Sequence, residues 1–180
     1  MNTVNDNDRP WRPIARRDWL RSLLLAGAAL AANAPALAKA IKLPAPGPRD
    51  TCPVCGMFVS RYRHWVATVQ WRDGKLVHFD GAKDFFKYLH ELARYEPGRK
   101  PADIAAMGVT DFYATELIDA AGAWYVIGSD VLGPMGHELV PHDSEADARE
   151  FMTDHKGRRV LRFSEVTAAL PVALDAGKFN

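Results

Sequence analysis

The sequence predicts an α+β fold in which two similar ββαβ units form one compact domain. Alternating apolar residues typical of strands recur along the chain, with a helical apolar pattern between them in each half. The same order of elements occurs in residues 51–120 and in residues 121–180. This predicted duplication rests on order and spacing, with His78-Phe79-Asp80 corresponding loosely to His142-Asp143.

The first half is predicted to contain a hairpin, a helix and a returning strand. Asp73-Gly74 is a strong signal for a two-residue hairpin turn. Asp80 is expected to cap the helix, in which Phe85 and Phe86 belong to one apolar face. The predicted elements are residues 65–71, 75–79, 81–95 and 109–118.

The second half repeats that order. Ser144 and Asp147 form a predicted capping box, and Asp143 is a further candidate cap of the same helix. The inward face of this helix carries Phe151, and Gly157 ends it. The predicted strands are residues 124–127, 138–140 and 159–163.

The first residues predict export. The sequence Arg16-Arg17-Asp18-Trp19-Leu20 precedes an apolar run at residues 23–32 and small residues that permit cleavage near Ala38. This pattern indicates a twin-arginine signal peptide over residues 1–38 and a periplasmic mature protein. A membrane anchor is the alternative, but the apolar run is short for a span and Pro35 interrupts its end.

Residues 39–50 contain three prolines and are predicted to be an extended linker before a domain of residues 51–180. Removing residues 1–38 takes five Arg and three Asp, so the formal charge falls from +1 to −1. The mature chain therefore lacks the basic excess that nucleic-acid binding requires. Lipid attachment at Cys52 is disfavoured because Arg49-Asp50-Thr51 before it is polar.

Sulfur is the main chemical signal in this sequence. Cys52-Pro53-Val54-Cys55-Gly56-Met57 places two thiols and a thioether within six residues, and the chain has no other cysteine. Soft donors of this kind select Cu(I), with zinc behind it. A second loop, Gly133-Pro134-Met135-Gly136-His137, could close the site from the other side.

The candidate ligands differ in strength. The Cys55 thiolate would give the strongest bond, and Met57 adds a neutral thioether that favours Cu(I) over zinc. Met135 lies between glycines in a turn-forming sequence, which favours an exposed side chain. Cys52 and His137 complete the predicted set, while His78 and His142 are interpreted as structural residues.

These motifs resemble those of the NosL family of nitrous oxide reductase accessory proteins. The resemblance spans nearly all of the predicted mature chain. It is carried by Cys55-Gly56-Met57-Phe58-Val59, Phe79-Asp80-Gly81, Val109-Thr110-Asp111-Phe112-Tyr113, the most specific element Pro134-Met135-Gly136-His137-Glu138-Leu139-Val140-Pro141, and the later Phe151, His155 and Gly157.

The resemblance implies a Cu(I)-binding chaperone, not an enzyme, that delivers metal for the copper-sulfide centre of nitrous oxide reductase. It also implies a two-fold ββαβ architecture similar to that of organomercurial lyases. Two features depart from the family pattern. Many members are lipoproteins, whereas this chain carries a predicted cleaved signal, and many have only the cysteine at position 55, so Cys52 is an addition. A related copper enzyme is therefore the alternative client.

Three other functions compete with copper transfer. A thiol-disulfide oxidoreductase would place Cys52-x-x-Cys55 at the start of a helix, and the residues after Gly56 are poor helix formers. A structural zinc site would need two further ligands, and no second Cys-x-x-Cys exists. Chemistry like that of organomercurial lyases would rest on the fold alone, which does not carry function.

Overall fold

The computed structural model describes residues 38–179 and confirms an α+β fold. The predicted signal peptide lies outside the described residues, except for Ala38. The strands are β1 Ala67–Trp71, β2 Leu76–Phe79, β3 Ile104–Thr110, β4 Leu117–Asp119, β5 Trp124–Ile127, β6 Leu132–Gly133, β7 Gly136–His137, β8 Val140–His142 and β9 Arg159–Arg162. The helices are α1 Ala82–His90, α2 Leu92–Tyr95, α3 Glu145–Asp154 and α4 Ala169–Asp175.

The first sheet has the strand order β2-β1-β3-β4, and each neighbouring pair is antiparallel. The predicted hairpin forms β1 and β2, with Ala67 opposite Phe79 and Val69 opposite Val77. These four residues are buried, so the alternation read from the sequence places one face of the sheet against the core.

The second sheet has the order β8-β5-β9, and its pairs are also antiparallel. In each half, the first strand is therefore paired on one side with the strand before the helix and on the other side with the strand after it. The hairpin of β6 and β7 stands apart as a separate two-stranded sheet. The duplication of sequence itself stays a prediction.

Aromatic residues of α1 join the two halves through the core. Phe86 packs edge-on against Tyr125 of β5, with ring centroids 5.1 Å apart, and Phe79 packs on Tyr88 at 4.9 Å. All four rings are fully buried. Because each such ring buries a large apolar area, this cluster anchors α1 over the first sheet and positions the residues at its start.

Residues 38–41 run along the outer edge of the first sheet. Asp119 N donates to Lys39 O at 2.8 Å, and Ile41 N donates to Leu117 O at 2.9 Å. Ala40 forms an antiparallel bridge with Ile118. Among residues 38–179, no helix combines the length and apolar character that a membrane crossing needs.

The prediction of a single strand over residues 109–118 is wrong. The chain turns between β3 and β4, where Asp111 Oδ1 accepts a hydrogen bond from Ala114 N at 2.6 Å and Asp111 O accepts one from Thr115 N at 3.0 Å. Thr115 has a positive φ of 56°, which ends the extended conformation. An aspartate that bonds its own following backbone is a turn signal, and it overrides the strand propensity here.

Two other elements differ from the prediction. Glu138 and Leu139 lie between β7 and β8 and are not in a strand. Helix α4 was not predicted, because Pro171 interrupts its apolar pattern and the helix has only seven residues. The predicted capping role of Ser144 is confirmed, since its side chain accepts from Asp147 N.

Candidate metal centre

The loop that carries both cysteines is closed by backbone pairing. Thr51 and Phe58 form an antiparallel bridge, and inside it Cys52 N donates to Met57 O at 2.9 Å. Gly56 N donates to Cys52 O at 2.8 Å, with Gly56 at φ +79°, a conformation that glycine adopts without strain. The loop therefore directs Cys52 into the core, where it is 1% exposed, and leaves Cys55 partly buried.

Two aspartates from the first half meet these thiols. Asp80 directly follows β2, and Asp84 lies in the first turn of α1. The Cys55 thiol donates to Asp80 Oδ1 at 3.2 Å, and the Cys52 thiol donates to Asp84 Oδ2 at 3.5 Å. One donor atom from each of the four side chains lies within 4.8 Å of all the others. Among the described residues, this is the one such group of three or more Cys, His, Asp or Glu.

Burial controls the protonation of both thiols. It raises the pKa of Cys55 to about 12, and nearby Asp84 and Asp80 act in the same direction. It raises the pKa of Cys52 further above the usual thiol range. Both cysteines are free thiols. At neutral pH the metal-free loop therefore presents protonated thiols, and a bound cation must displace their protons.

The carboxylates are only partly neutralised by protein groups. Lys87 Nζ lies 3.2 Å from Asp84 Oδ1 and 2.8 Å from Asp175 Oδ2. Asp80 is fully buried, and its Oδ2 has no hydrogen-bond partner. A buried acceptor without a donor costs free energy unless a cation or water satisfies it. The two thiols beside this acceptor could bind a metal ion, and thiol ligands favour a soft or borderline cation.

The second sulfur-bearing loop lies beside the start of α1. Pro134 and Met135 form the turn between β6 and β7, and the Met135 side chain is 45% exposed. Lys83 Nζ donates to Met135 O at 2.7 Å, and Lys83 directly precedes Asp84. Met57 lies in the cysteine loop and is partly exposed. The structure therefore connects Met135 to the helix of Asp84, while coordination by either methionine stays a prediction.

His137 packs against the C-terminal segment. Its ring meets Phe179 edge-on, with centroids 4.8 Å apart, and its Nδ1 is buried without a hydrogen-bond partner. His137 lies outside the group of two cysteines and two aspartates. The role of His137 as a metal ligand stays a prediction.

Comparison with known proteins places the chain in a family. The NosL family model matches residues 45–171. The chain belongs to the NosL family. It is 30% identical to the copper-binding lipoprotein NosL of Stutzerimonas stutzeri over 134 residues, which are 67% of this chain and 64% of the relative. The aligned part thus spans less than two thirds of the length of that relative.

A solved NosL structure has a fold similar to this one. The crystal structure of the copper chaperone NosL from Shewanella denitrificans matches with a TM-score of 0.60 and 23% identity, covering 71% of this chain and 97% of that chain. This match shows a shared fold. The solution structure of apo-NosL from Achromobacter cycloclastes has 25% identity and a TM-score of 0.40, covering 57% of this chain and 86% of that chain.

Sequence reasoning about this NosL chain missed both aspartates as members of the site. The predicted capping role of Asp80 is wrong, because the N-cap of α1 is Gly81, which has no side chain to cap the helix. Asp143 likewise is not the cap of α3, because Ser144 fills that position. Two aspartates four residues apart, directly after a predicted strand, were the available signal for a pair of carboxylates at one helix start.

Glu138 was also missed, and it supplies what the cap of α1 lacks. Its Oε1 accepts from Lys83 N at 2.5 Å and from Leu139 N at 2.9 Å. Burial raises the pKa of Glu138 to about 8, while its bond from Leu139 and the Lys83 charge act in the opposite direction. A carboxylate from the most specific NosL motif thus satisfies the start of the helix that carries Asp84.

The two buried histidines differ in their contacts, because His78 has a hydrogen-bond partner and both ring nitrogens of His142 are buried without one. His78 Nδ1 lies 2.9 Å from Thr68 Oγ1, which faces it across the β1–β2 pair. His142 is fully buried among aromatic rings, including Phe151 at a centroid distance of 4.7 Å. Neither belongs to the group of thiols and carboxylates.

Proposed function

We propose that this NosL chain is a periplasmic copper chaperone that binds Cu(I) and delivers it for the maturation of nitrous oxide reductase, the copper enzyme that ends denitrification. The observation that carries the proposal is the convergence of both thiols of one loop on a shared, partly accessible site. Two thiols suit Cu(I) better than they suit any hard cation. The names of its relatives, a copper-binding lipoprotein and a copper chaperone, support the same conclusion.

In this proposal Cys55 and Cys52 supply thiolates, and Met57 and Met135 supply thioethers. Cys55 and Met135 are the accessible members, since Met135 is 45% exposed and Cys55 is partly buried. Transfer by ligand exchange needs this access, because a ligand of the client must reach the ion before the chaperone releases it. His137 is a further candidate ligand, from β7, which directly follows the turn of Met135.

Export through the twin-arginine route would deliver the chain in folded form, so the site could be built before the protein reaches the periplasm. In an oxidising compartment Cys52 and Cys55 can pair as a disulfide, which removes the thiolates that Cu(I) needs. We therefore expect copper loading to require reduced cysteines. Air oxidation of the metal-free chain should lower its copper capacity.

A binding experiment tests the ligand set. The reduced full chain should bind one Cu(I) in competition with a Cu(I) chelator, and Cys55→Ser should lose nearly all of that affinity. Cys52→Ser should lose less, and Met57→Leu and Met135→Leu should each weaken binding without lowering the melting temperature of the apo protein. Met107→Leu is the matched control, because Met107 lies in the middle of β3 and packs against the core.

A transfer experiment tests the client. Cu(I)-loaded chain mixed with copper-free nitrous oxide reductase and its assembly factors should lose copper to the enzyme, and loaded Met135→Leu should transfer differently from wild type. If Cu(I) binds normally but is not transferred, nitrous oxide reductase is not the client, and the chain delivers copper to another protein. Failure of Cu(I) binding in the reduced chain would remove the proposal as a whole.

A zinc site is the second candidate, and one observation favours it. Asp80 and Asp84 supply the two further ligands that the sequence did not reveal, and Zn²⁺ accepts both thiolate and carboxylate. The same titration with Zn²⁺ decides between them: affinity for zinc equal to that for Cu(I) would favour the divalent ion. A thiol oxidoreductase is disfavoured, because burial raises the pKa of both thiols, whereas an attacking cysteine needs a lowered one.

A further inference from the structure

Glu138 places a buried carboxylate in the first turn of α1. The side chain comes from the segment directly after the β6–β7 hairpin and is 3% exposed. Its Oε1 accepts from Lys83 N at 2.5 Å, a backbone group that no residue within the helix can satisfy. The hairpin is thus bonded to the helix across fifty-five residues of sequence.

Two glycines leave room for the Glu138 side chain. A Cβ added at Gly81 would overlap the Glu138 carboxylate, and a Cβ added at Gly133 would lie 3.1 Å from Glu138 Cγ. Gly81 has an extended φ of −169°, so no backbone strain requires glycine there. Close approach of the Glu138 side chain explains both glycines.

Lys83 makes a second connection to the same hairpin. Its side chain is 1% exposed, and its Nζ donates to Met135 O at 2.7 Å and contacts Asp175 Oδ1 at 2.9 Å. One helical residue is therefore bonded to the hairpin at two points, by its backbone to Glu138 and by its side chain to Met135. A hairpin whose strands have two residues each depends on the rest of the chain for its position, and these two bonds act there beside the packing of His137 on Phe179.

We propose that Glu138 and Lys83 are positioning residues that lock the Pro134–Met135 turn onto the start of α1 and so hold Met135 in a fixed place relative to Asp84. This inference rests on the proposed function, in which Met135 is a Cu(I) ligand. A turn that is ordered before the metal arrives loses less conformational entropy on binding than a mobile one. Loss of the tether should therefore weaken Cu(I) binding although neither residue contacts the ion.

Lys83→Met tests the side-chain bond. Methionine keeps most of the length and apolar volume of the lysine stem but cannot donate to Met135 O. In the reduced, metal-free full chain, we expect the ¹⁵N order parameters of the Met135 and Gly136 amides to fall from about 0.85 to below about 0.6. Cu(I) affinity should fall about tenfold. Lys83→Leu, which also lacks a donor, replaces this variant if Lys83→Met does not fold.

Asp175→Asn is the matched control for the ion pair. It removes the charge opposite Lys83 but leaves the bond from Nζ to Met135 O, so the turn should stay ordered. Glu138→Gln and Glu138→Leu form a second pair. The glutamine retains an acceptor for Lys83 N and should keep the turn ordered, whereas the leucine should not.

The outcomes separate this inference from the proposed function. Unchanged order parameters in both Lys83→Met and Glu138→Leu would overturn the tether, whatever happens to copper. A mobile turn in Lys83→Met with Cu(I) affinity unchanged in that variant and in Met135→Leu would support the tether as the support of the turn and overturn the ligand role of Met135. A mobile turn with lower affinity in both supports the two together.

Discussion

The Cys52 thiol donates to Asp84 Oδ2 at 3.5 Å, which joins the cysteine loop to α1 across thirty-two residues of sequence. Asp84 also contacts Lys87 at 3.2 Å through its other oxygen. Asp84 thus contacts the Cys52 thiol, which must lose its proton to bind metal, and also Lys87, whose positive charge offsets that of the Asp84 carboxylate. The protonation of the site and its metal affinity are therefore coupled.

Apparent Cu(I) affinity should rise with pH between about pH 6 and pH 8. Burial raises the pKa of Cys55 to about 12 and that of Cys52 still higher, so both thiols are protonated in this range and metal competes with protons. Each displaced proton adds about a tenfold gain in affinity per pH unit. Competition titrations at several pH values, corrected for the chelator, measure the slope.

Cys52→Ser provides the comparison for that slope. If both thiols bind as thiolates, the variant should lose one proton from the pH dependence as well as some affinity. A wild-type affinity that does not change with pH would contradict protonated thiols in the metal-free protein.

Asp80→Asn should separate the two candidate metals. Carboxylate is a good ligand for Zn²⁺ and a poor one for Cu(I), so we expect zinc affinity to fall at least about tenfold and Cu(I) affinity to change much less. Asp73→Asn is the control, because Asp73 is an exposed carboxylate that binds Arg99 away from the site. Equal losses for both ions would indicate that Asp80 orients the loop without discriminating between metals.

His142 should make folding stability depend on acid. Burial lowers the pKa of His142 to about 4, although Asp111 and Asp147 act in the opposite direction. The unfolded chain therefore binds more protons than the folded chain between about pH 4 and 6.5, and stability decreases as pH falls through that window. The shift corresponds to at most about 3 kcal/mol.

His142→Phe measures this contribution by difference. In denaturant unfolding, the free energy of unfolding of wild type minus that of the variant should decrease as pH falls from about 6.5 to 4. Only wild type loses the histidine contribution in that range. The difference is needed because Glu138, with its pKa raised to about 8, loses stability in the opposite direction, as pH rises from 4.5. A difference that stays constant with pH would show that His142 titrates normally in the fold.

Gly81→Ala should destabilise the protein by about 1–3 kcal/mol, because the new Cβ overlaps the Glu138 carboxylate. Gly47→Ala is the control, since its Cβ would meet Asp50 Oδ2 at an ordinary 3.5 Å. Chemical denaturation of both variants gives the comparison. In a Glu138→Ala background the Gly81→Ala loss should shrink, and an undiminished loss would point to another cause.

Local signals in the sequence predicted the parts of the fold that depend on neighbouring residues. Asp73-Gly74 and the apolar alternation before it predicted the β1–β2 hairpin, and Ser144 with Asp147 predicted the start of α3. The turn at Asp111 was missed, because its side-chain bond to Ala114 N competes with a strand propensity that dominates the surrounding residues. Helix α4 is short and Pro171 interrupts its apolar pattern, and the contacts of its Asp175 with Lys83 and Lys87 leave no local pattern in the sequence.

The candidate site divides in the same way. The soft donors Cys52, Cys55 and Met57 are adjacent in sequence, so their chemistry could be predicted directly. Asp80 and Asp84 join them only because the cysteine loop folds back onto the end of β2 and the start of α1. That arrangement depends on packing between segments twenty-five and thirty-two residues apart, which lies beyond residue patterns.

Residues 38–41 occupy the free side of β4 and satisfy its backbone at Leu117 and Asp119. An exposed strand edge offers unpaired donors and acceptors to any other extended chain, and protein aggregation often begins there. In this molecule the stretch next to the predicted cleavage position covers that edge of the first sheet. Trimming the chain to residue 42 would uncover it, so the exact position of its first residue bears on whether copies of the protein stay apart in solution.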